Sequence, residues 1–296
     1  MALVLDKNAK PDFFDSIQKP GIPGFDVEKA RSNDDWGKLK NLYDKIFLMN
    51  IEIKKNKIPR NIHQIWLGGA LPERYIGWQK SWIDRHPEWK YKLWTDADVD
   101  SLEMVNSVFF NSISNLGAKS DILRYEILNK YGGIYIDTDF ECFKSFDDII
   151  TKCSFFAGIP HCRKDGPLIN NGLIGSTPGN KIILNCILNI KTNKIDETDP
   201  NSIMEITGPS LLTDSVLKII DAGENDIIIF PASFFYPFRG DLRNIRTVRQ
   251  ARKCRKPETF ALHYWEASWS LGSRSLKQTI KDLLPKSIRD LIKHHF

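Results

Sequence analysis

The sequence lacks any window near the roughly 18 consecutive apolar residues of a membrane-spanning helix. Its start, MALVLDKNAKPDFFD, lacks the basic run followed by an apolar run that marks a secretory leader, so neither export by a leader nor anchoring by a span is expected. Cysteine is scarce. The five residues at 142, 153, 162, 186 and 254 are odd in number and include no CxxC pair, which argues against a disulfide framework and a zinc-thiolate centre and makes a reducing cytoplasm the expected home. There is no internal repeat and no low-complexity tract. Charge of one sign is not in large excess either: the net value is +5 over 296 residues, and no nucleic-acid recognition module accompanies it.

What is present is the composition of an ordinary globular protein, 42% hydrophobic and 27% charged. Residues 1–56 begin polar and turn-rich, then become helical. Trp36, Leu39, Leu42, Tyr43, Ile46, Phe47 and Met49 recur at helical spacing and define one apolar face. IPRNIHQIWLGG (58–69) reads as a first strand ending in a glycine loop, and KYKLWTDAD (90–98) as a second, with a helix between them. That order is the strand-helix-strand of a nucleotide-binding α/β half-domain. A further helix, AKSDILRYEILNKYGG, has Ser120 as a candidate N-cap and Gly132 as a C-terminal stop, and the strand GIYID follows it. Beyond lie a strand in KCSFFAGIP, a glycine- and asparagine-bearing segment GPLINNGLIGSTPGN, a helix near KIILNCILNI, a turn-like TGPS, a strand DIIIFPASFFYPF and a strand-like TFALHYWEASW.

The strand GIYID delivers Asp137 and Asp139, which on extended backbone would point the same way. Two ionised carboxylates so close repel each other. A hard divalent ion such as Mg²⁺ or Mn²⁺ relieves that repulsion, keeps open positions and bridges to substrate phosphate. Solvated turn residues would give the same letters. A phosphatase of the haloacid dehalogenase type also uses Asp-x-Asp, but on its first strand and with Thr or Val after the pair. Here more than 130 residues precede the pair and Phe140-Glu141 follows it.

IHQIWLGG, AKSDILRYEILNKYGGIYIDTDF, TGP and HYWEASW, in that order over about residues 57–270, resemble the motifs of the DXD sugar transferases of glycosyltransferase family 32. That group includes bacterial capsular sugar transferases, yeast initiating mannosyltransferases and, more distantly, the glucosylating clostridial toxins. The resemblance implies an α/β, Rossmann-like GT-A fold, a nucleotide-diphospho-sugar donor, Mn²⁺ or Mg²⁺, and transfer with retention. It assigns Asp137, Asp139 and His263 to the metal, with Glu266 as a competing ligand. It assigns Asp121 and Arg124 to the donor sugar and phosphate, Trp66 to stacking on the base, and Ser268 and Trp269 to a cover over the diphosphate. Asn170 and Asn171 fall where polar groups face the reacting sugar. No carboxylate matches a double-displacement nucleophile, which favours front-face return with the leaving phosphate deprotonating the acceptor.

Three parts are therefore expected: an N-terminal helical extension (1–56), a GT-A domain (57–270) and a basic amphipathic C-terminal helix (271–296). In the last, Leu276, Ile280, Leu283, Leu284, Ile288, Leu291, Ile292 and Phe296 form a helical stripe, with six basic and two acidic residues from Arg274 onward. Such a helix either lies on an anionic membrane or docks on the domain. RGDLRNIRTVRQARKCRK (239–256) is a second basic stretch. The reading that leads is a metal-dependent hexosyltransferase preferring a UDP-sugar to GDP-mannose. It would act on a saccharide or lipid-linked saccharide, for cell-surface polysaccharide or glycolipid, in the cytoplasm or at the inner membrane face. A toxin-like transferase acting on a host protein and a non-catalytic nucleotide-sugar binder are the alternatives.

Overall fold

A computed structural model describes residues 11–18, 20–21, 25–49, 58–163, 166–190, 195–242 and 247–266. The chain divides into two compact units, Met1–Trp265 and Glu266–Phe296. Of the second, only Glu266 is among the described residues, so the amphipathic tail, Ser268 and Trp269 lie outside them.

Short helices α1 (Phe13–Gln18), α2 (Val27–Arg31) and α3 (Asp34–Tyr43) come first. The apolar face expected from Trp36 onward is buried through Phe47, whereas Met49, past the end of the helical stretch, is 69% exposed. Tyr43 and Phe47 pack on Phe230 and Phe234 at centroid distances of 5.2 to 6.2 Å, which joins the N-terminal helices to the main core.

The α/β framework follows: β1 (Asn61–Ile65), α4 (Glu73–Arg85), β2 (Lys90–Trp94), α5 (Asp96–Val99), α6 (Ser107–Ser112), α7 (Leu116–Tyr131) and β3 (Gly133–Ile136). Then come β4 (Phe140–Cys142), β5 (Phe155–Arg163), β6 (Gly166–Ser176), α8 (Lys181–Asn189), α9 (Pro200–Ile206), α10 (Pro209–Asp221), β7 (Ile227–Phe230), α11 (Val248–Arg252) and β8 (Ala261–His263). Six strands form a mixed sheet in the order β2-β1-β3-β6-β5-β7, and β4 pairs with β8 in a separate two-stranded sheet. This is a Rossmann-like α/β architecture, as the sequence leads one to expect. The chain leaves β1 for β2 on one side and returns to β3 on the other, both parallel to β1. The carboxyl ends of β1 and β3 therefore flank a topological switch point, where α/β sheets open a crevice for ligands.

Helix α7 is the central buried element. Its residues from Asp121 to Leu128 are all buried, so Asp121, Arg124 and Glu126 enter the interior and need partners there. Its cap is Asn115, whose side chain accepts from the Gly117 and Ala118 amides, and not Ser120, which lies a turn inside. The helix ends at Gly132, with φ 58°, and an added Cβ on Gly133 would meet the Asn61 carbonyl at 2.6 Å. The glycine pair thus stops the helix and lets β3 approach β1.

The segment GPLINNGLIGS, to which its composition assigned no element, is an eleven-residue strand, because β3 and β5 satisfy its backbone on both sides. One expectation needs correction. DIIIFPASFFYPF is a strand only to Phe230, since Pro231 cannot continue the ladder.

His63 links β1 to the end of α7. Its Nε2 lies 2.9 Å from the Gly132 carbonyl and its Nδ1 accepts from Trp94 Nε1 at 3.2 Å. Burial pushes its pKa down from 6.5 to about 4, so the folded protein holds it neutral through a range where the unfolded chain is protonated. Burial lowers His86 in the same direction. The folded state then binds fewer protons below about pH 6.5, and stability falls as pH drops from there toward about 4. His63 alone contributes about 3 kcal/mol to that loss. Urea titrations across this range should show the decline, with a shallower slope for His63→Gln. A variant as steep as the parent would remove His63 as its source.

Candidate functional site

Helix α7 sets the first half of the site. Arg124, 5% exposed, lies between two carboxylates: NH2 is 3.0 Å from Asp121 Oδ1 and NH1 is 3.2 Å from Asp137 Oδ1. NH1 also donates to the Asn171 carbonyl on β6 at 2.7 Å. Asp121 Oδ1 accepts from Asn171 Nδ2 at 2.8 Å and its Oδ2 from Thr207 Oγ1 at 3.0 Å. Asn171 thus turns its amide toward Asp121, with Tyr125 Oη 3.4 Å away. Asn170, half-buried beside it, accepts through Oδ1 from the Gly172 amide and the Tyr236 hydroxyl.

Asp137 and Asp139 do not sit on extended backbone as their spacing suggested. β3 ends at Ile136, and residues 137–139 form a tight turn into β4, closed by the Phe140 amide donating to the Asp137 carbonyl at 3.2 Å. The turn brings the carboxylates together nonetheless. The Asp137 amide donates to the Gly172 carbonyl at 2.8 Å, and Tyr135 Oη donates to Asp137 Oδ1 at 2.6 Å. A Cβ on Gly172 would lie 2.6 Å from Asp137 Oδ2, so only glycine allows that approach.

His263 reaches the turn from the far end of the chain. β8 runs antiparallel to β4 with His263 opposite Phe140, and the two rings stack at 4.3 Å and 3°. Nε2 lies 3.0 Å from Asp139 Oδ1, while Nδ1 is buried with no hydrogen-bond partner among the described residues. The Asp137, Asp139 and His263 ligand atoms all lie within 4.8 Å of one another. Two carboxylate oxygens and one imidazole nitrogen are a donor set that Mn²⁺ accepts well. Burial pushes the Asp137 carboxyl above its usual range, Arg124 opposes this and Asp139 adds to it. Asp121 is raised by burial in the same way, again against Arg124. Asp121 and Asp137 thus share the Arg124 guanidinium. A cation held by Asp137 and Asp139 would relieve the repulsion between those two carboxylates.

Helix α4 and β1 hold the turn from behind. Trp82 Nε1 donates to the Phe140 carbonyl at 2.9 Å, and Ser81 Oγ accepts from the Cys142 amide at 2.9 Å. Gln64 Nε2 donates to the Asp137 carbonyl at 3.3 Å and is itself fixed by Tyr91 Oη, which donates to Gln64 Oε1 at 2.6 Å. Trp66 follows β1, across the switch point from Asp137. Its ring is half-buried, 5.0 Å from Tyr75 at 48°.

Residues 72–156 match the family described as the glycosyltransferase sugar-binding region containing the DXD motif. That stretch, which holds Asp121, Arg124, Asp137 and Asp139, thus resembles the sugar-binding region of the DXD glycosyltransferases. Inositol phosphoceramide mannosyltransferase 3 of Schizosaccharomyces pombe is 33% identical over 172 residues, which are 55% of this chain and 47% of that protein. Inositol phosphoceramide mannosyltransferase 1 of the same yeast is 30% identical over 201 residues, 62% of each chain. The chain thus matches about half to three fifths of the length of these relatives. The solved PaToxG glycosyltransferase is 17% identical, with a TM-score of 0.48, covering 67% of this chain and 81% of that one.

The structure gathers Asp121, Arg124, Asp137, Asp139, Asn171 and His263 around one point and sets Trp66 at the neighbouring strand end. Thr207, Gln64 and Tyr236 were not singled out by the sequence as site residues. TGP appeared there only as a motif, and no signal pointed to its threonine as the partner of Asp121. Thr207→Val removes the hydroxyl from a buried carboxylate. It should destabilise the fold by about 1–3 kcal/mol in urea and lower donor turnover, while Thr207→Ser preserves both. Equal stability of the valine variant and the parent would show that Asp121 does not need this donor.

Proposed function

We propose that the chain transfers a hexose, with retention, from a nucleotide-diphospho-sugar to a saccharide borne on a lipid, and that it needs a divalent ion to do so. The observation that carries this reading is the convergence of the Asp137, Asp139 and His263 ligand atoms within 4.8 Å, beside Arg124 and at the switch point of the sheet. These three residues would hold Mn²⁺ or Mg²⁺, whose charge stabilises the leaving nucleoside diphosphate.

The rest is the work of side chains. Arg124 orients Asp137 and offers positive charge toward the phosphates. Asp121, fixed by Asn171 and Thr207, keeps acceptor lone pairs for sugar hydroxyls. Trp66 presents an indole plane for the base. With no nucleophilic carboxylate assigned to the sugar's opposite face, the leaving phosphate takes the acceptor proton on the same face.

The lipid-borne acceptor is supported by the names of the two yeast relatives, which give inositol phosphoceramide, a lipid whose polar head ends in a polyol, and mannose as the sugar. The sequence reading tilts instead toward uridine as the base, through Trp66. Thermal shift with UDP- and GDP-sugars in Mn²⁺ separates these, since a ligand of the folded state raises the melting temperature. The amphipathic tail at 271–296 is proposed to hold the enzyme at an anionic membrane, at the cytoplasmic face.

Asp139→Asn keeps shape and removes charge. Donor hydrolysis in Mn²⁺ should fall about a hundredfold or more, with Mn²⁺ binding by electron paramagnetic resonance weakened in parallel. Parental turnover and Mn²⁺ affinity in this variant would sink the metal role, and release of no nucleoside diphosphate by the parent would favour a mere binder. For the base, Trp66→Ala should weaken nucleotide binding by about 1–3 kcal/mol by calorimetry. Unchanged affinity for both UDP and GDP would return Trp66 to a packing role.

A further inference from the structure

Between Asp241 and Glu258 the sequence has seven basic residues and no acidic one. Its described part is α11 and the turn that follows. Arg249, Arg252 and Lys253 are exposed and Lys256 is half-buried, at spacings of three, one and three, while Ala251 among them is buried against Leu262 and Tyr264. The cations therefore share the outward face. Arg252 is neutralised by Glu141 on β4 through a bidentate pair at 2.7 and 2.8 Å. Arg249, Lys253 and Lys256 pair with no carboxylate among the described residues. Val248, 43% exposed, adds apolar surface beside them, and Arg255 lies over the half-buried Phe143 ring at 4.4 Å.

This face is fixed to the site's own scaffold. Glu141, which holds Arg252, is two residues beyond Asp139, and Tyr264, adjacent to His263, also donates to Glu141 at 2.5 Å. Whatever the basic face rests on therefore lies against the same two-stranded sheet that carries His263 and directly follows Asp139.

We propose that the face made by Arg249, Lys253 and Lys256 docks on an anionic phospholipid bilayer and sets the transferase site at the membrane surface. Clustered cations beside exposed apolar groups suit a headgroup layer, which attracts each added basic residue and accepts a shallow apolar contact. A duplex nucleic acid fits less well, because no helix or ribbon here is long enough to enter a groove. The proposal concerns where the protein binds. It does not depend on which sugar is moved, or on turnover at all.

Sedimentation of the full chain with vesicles tests it. Phosphatidylcholine vesicles containing phosphatidylserine should bind the parent, pure phosphatidylcholine should not, and added salt should weaken the binding. The triple variant Arg249→Gln, Lys253→Gln, Lys256→Gln should lose about a hundredfold in partitioning, and the glutamate version more. Thermal unfolding, and donor hydrolysis without vesicles, should match the parent. If the triple variants bind anionic vesicles like the parent, the assignment is overturned, whether or not another segment holds the membrane. Equal binding to both vesicle types, or displacement of bound vesicles by duplex DNA, would also overturn it. A parent that binds lipid through this face but hydrolyses no donor would leave the docking surface standing and remove only the transferase reading.

Discussion

The site is organised around one guanidinium that serves two carboxylates. Arg124 touches Asp121 and Asp137 at once, and Asp139 lies close enough to raise Asp137 further. A buried charge without a partner is costly, and removing one member of such a group leaves another exposed to that cost. The surroundings therefore supply donors wherever one is possible: Thr207 and Asn171 for Asp121, Tyr135 for Asp137, His263 for Asp139. What favours the proposed cation site is geometric: the Asp137, Asp139 and His263 ligand atoms converge to within 4.8 Å of one another.

The same demand explains why the turn at 137–139 is so heavily held. Carboxylates that repel each other tend to drift apart, and here the backbone that carries them is hydrogen-bonded at nearly every step. Gly172 holds the Asp137 amide, Gln64 and Phe140 its carbonyl, Tyr264 the Asp139 carbonyl and Trp82 the Phe140 carbonyl. The partners come from β6, β1, the residue that follows β8, and α4, so four separate parts of the chain hold the turn. Preorganisation of this kind means that reorganisation is not required when charge develops at a leaving group. It also confines substitution: at Gly172 any side chain would meet Asp137.

How much of this was legible depended on chain distance. SDILRYEILNKYGGIYIDTD carries helix, stop, strand and two carboxylates within twenty residues, and residue type with spacing sufficed to read it. Local rules misled where a tertiary partner decided the outcome. Asn170, Asn171 and Gly172 carry no strand signal of their own, yet they lie mid-strand, with Asn170 opposite Gly158 of β5 and the Gly172 carbonyl accepting from the Asp137 amide. Ser120 resembles a cap in isolation, but Asn115 begins the helix one turn earlier and Ser120 then has no orphan amide to serve. Thr207 and Gln64 were opaque for a different reason. Their partners lie 86 and 73 residues away, and no periodicity in a single sequence encodes that meeting.

His263 shows the consequence for assembly. Asp121, Arg124, Asp137 and Asp139 are brought together by one helix, one short strand and one turn, whereas His263 enters from 124 residues beyond Asp139 by pairing β8 with β4. The entropy of closing so long a loop grows only logarithmically with its length, so the distance itself is tolerable. Without the β4–β8 pairing the carboxylates lack both His263 and the Phe140 stack that orients it. A ligand that needs all three groups binds only the completed arrangement, so by mass action it favours the β4–β8 pairing itself. The two-stranded sheet, minor in size beside the six-stranded one, is thus the element on which loading of the site and closure of the fold become the same event.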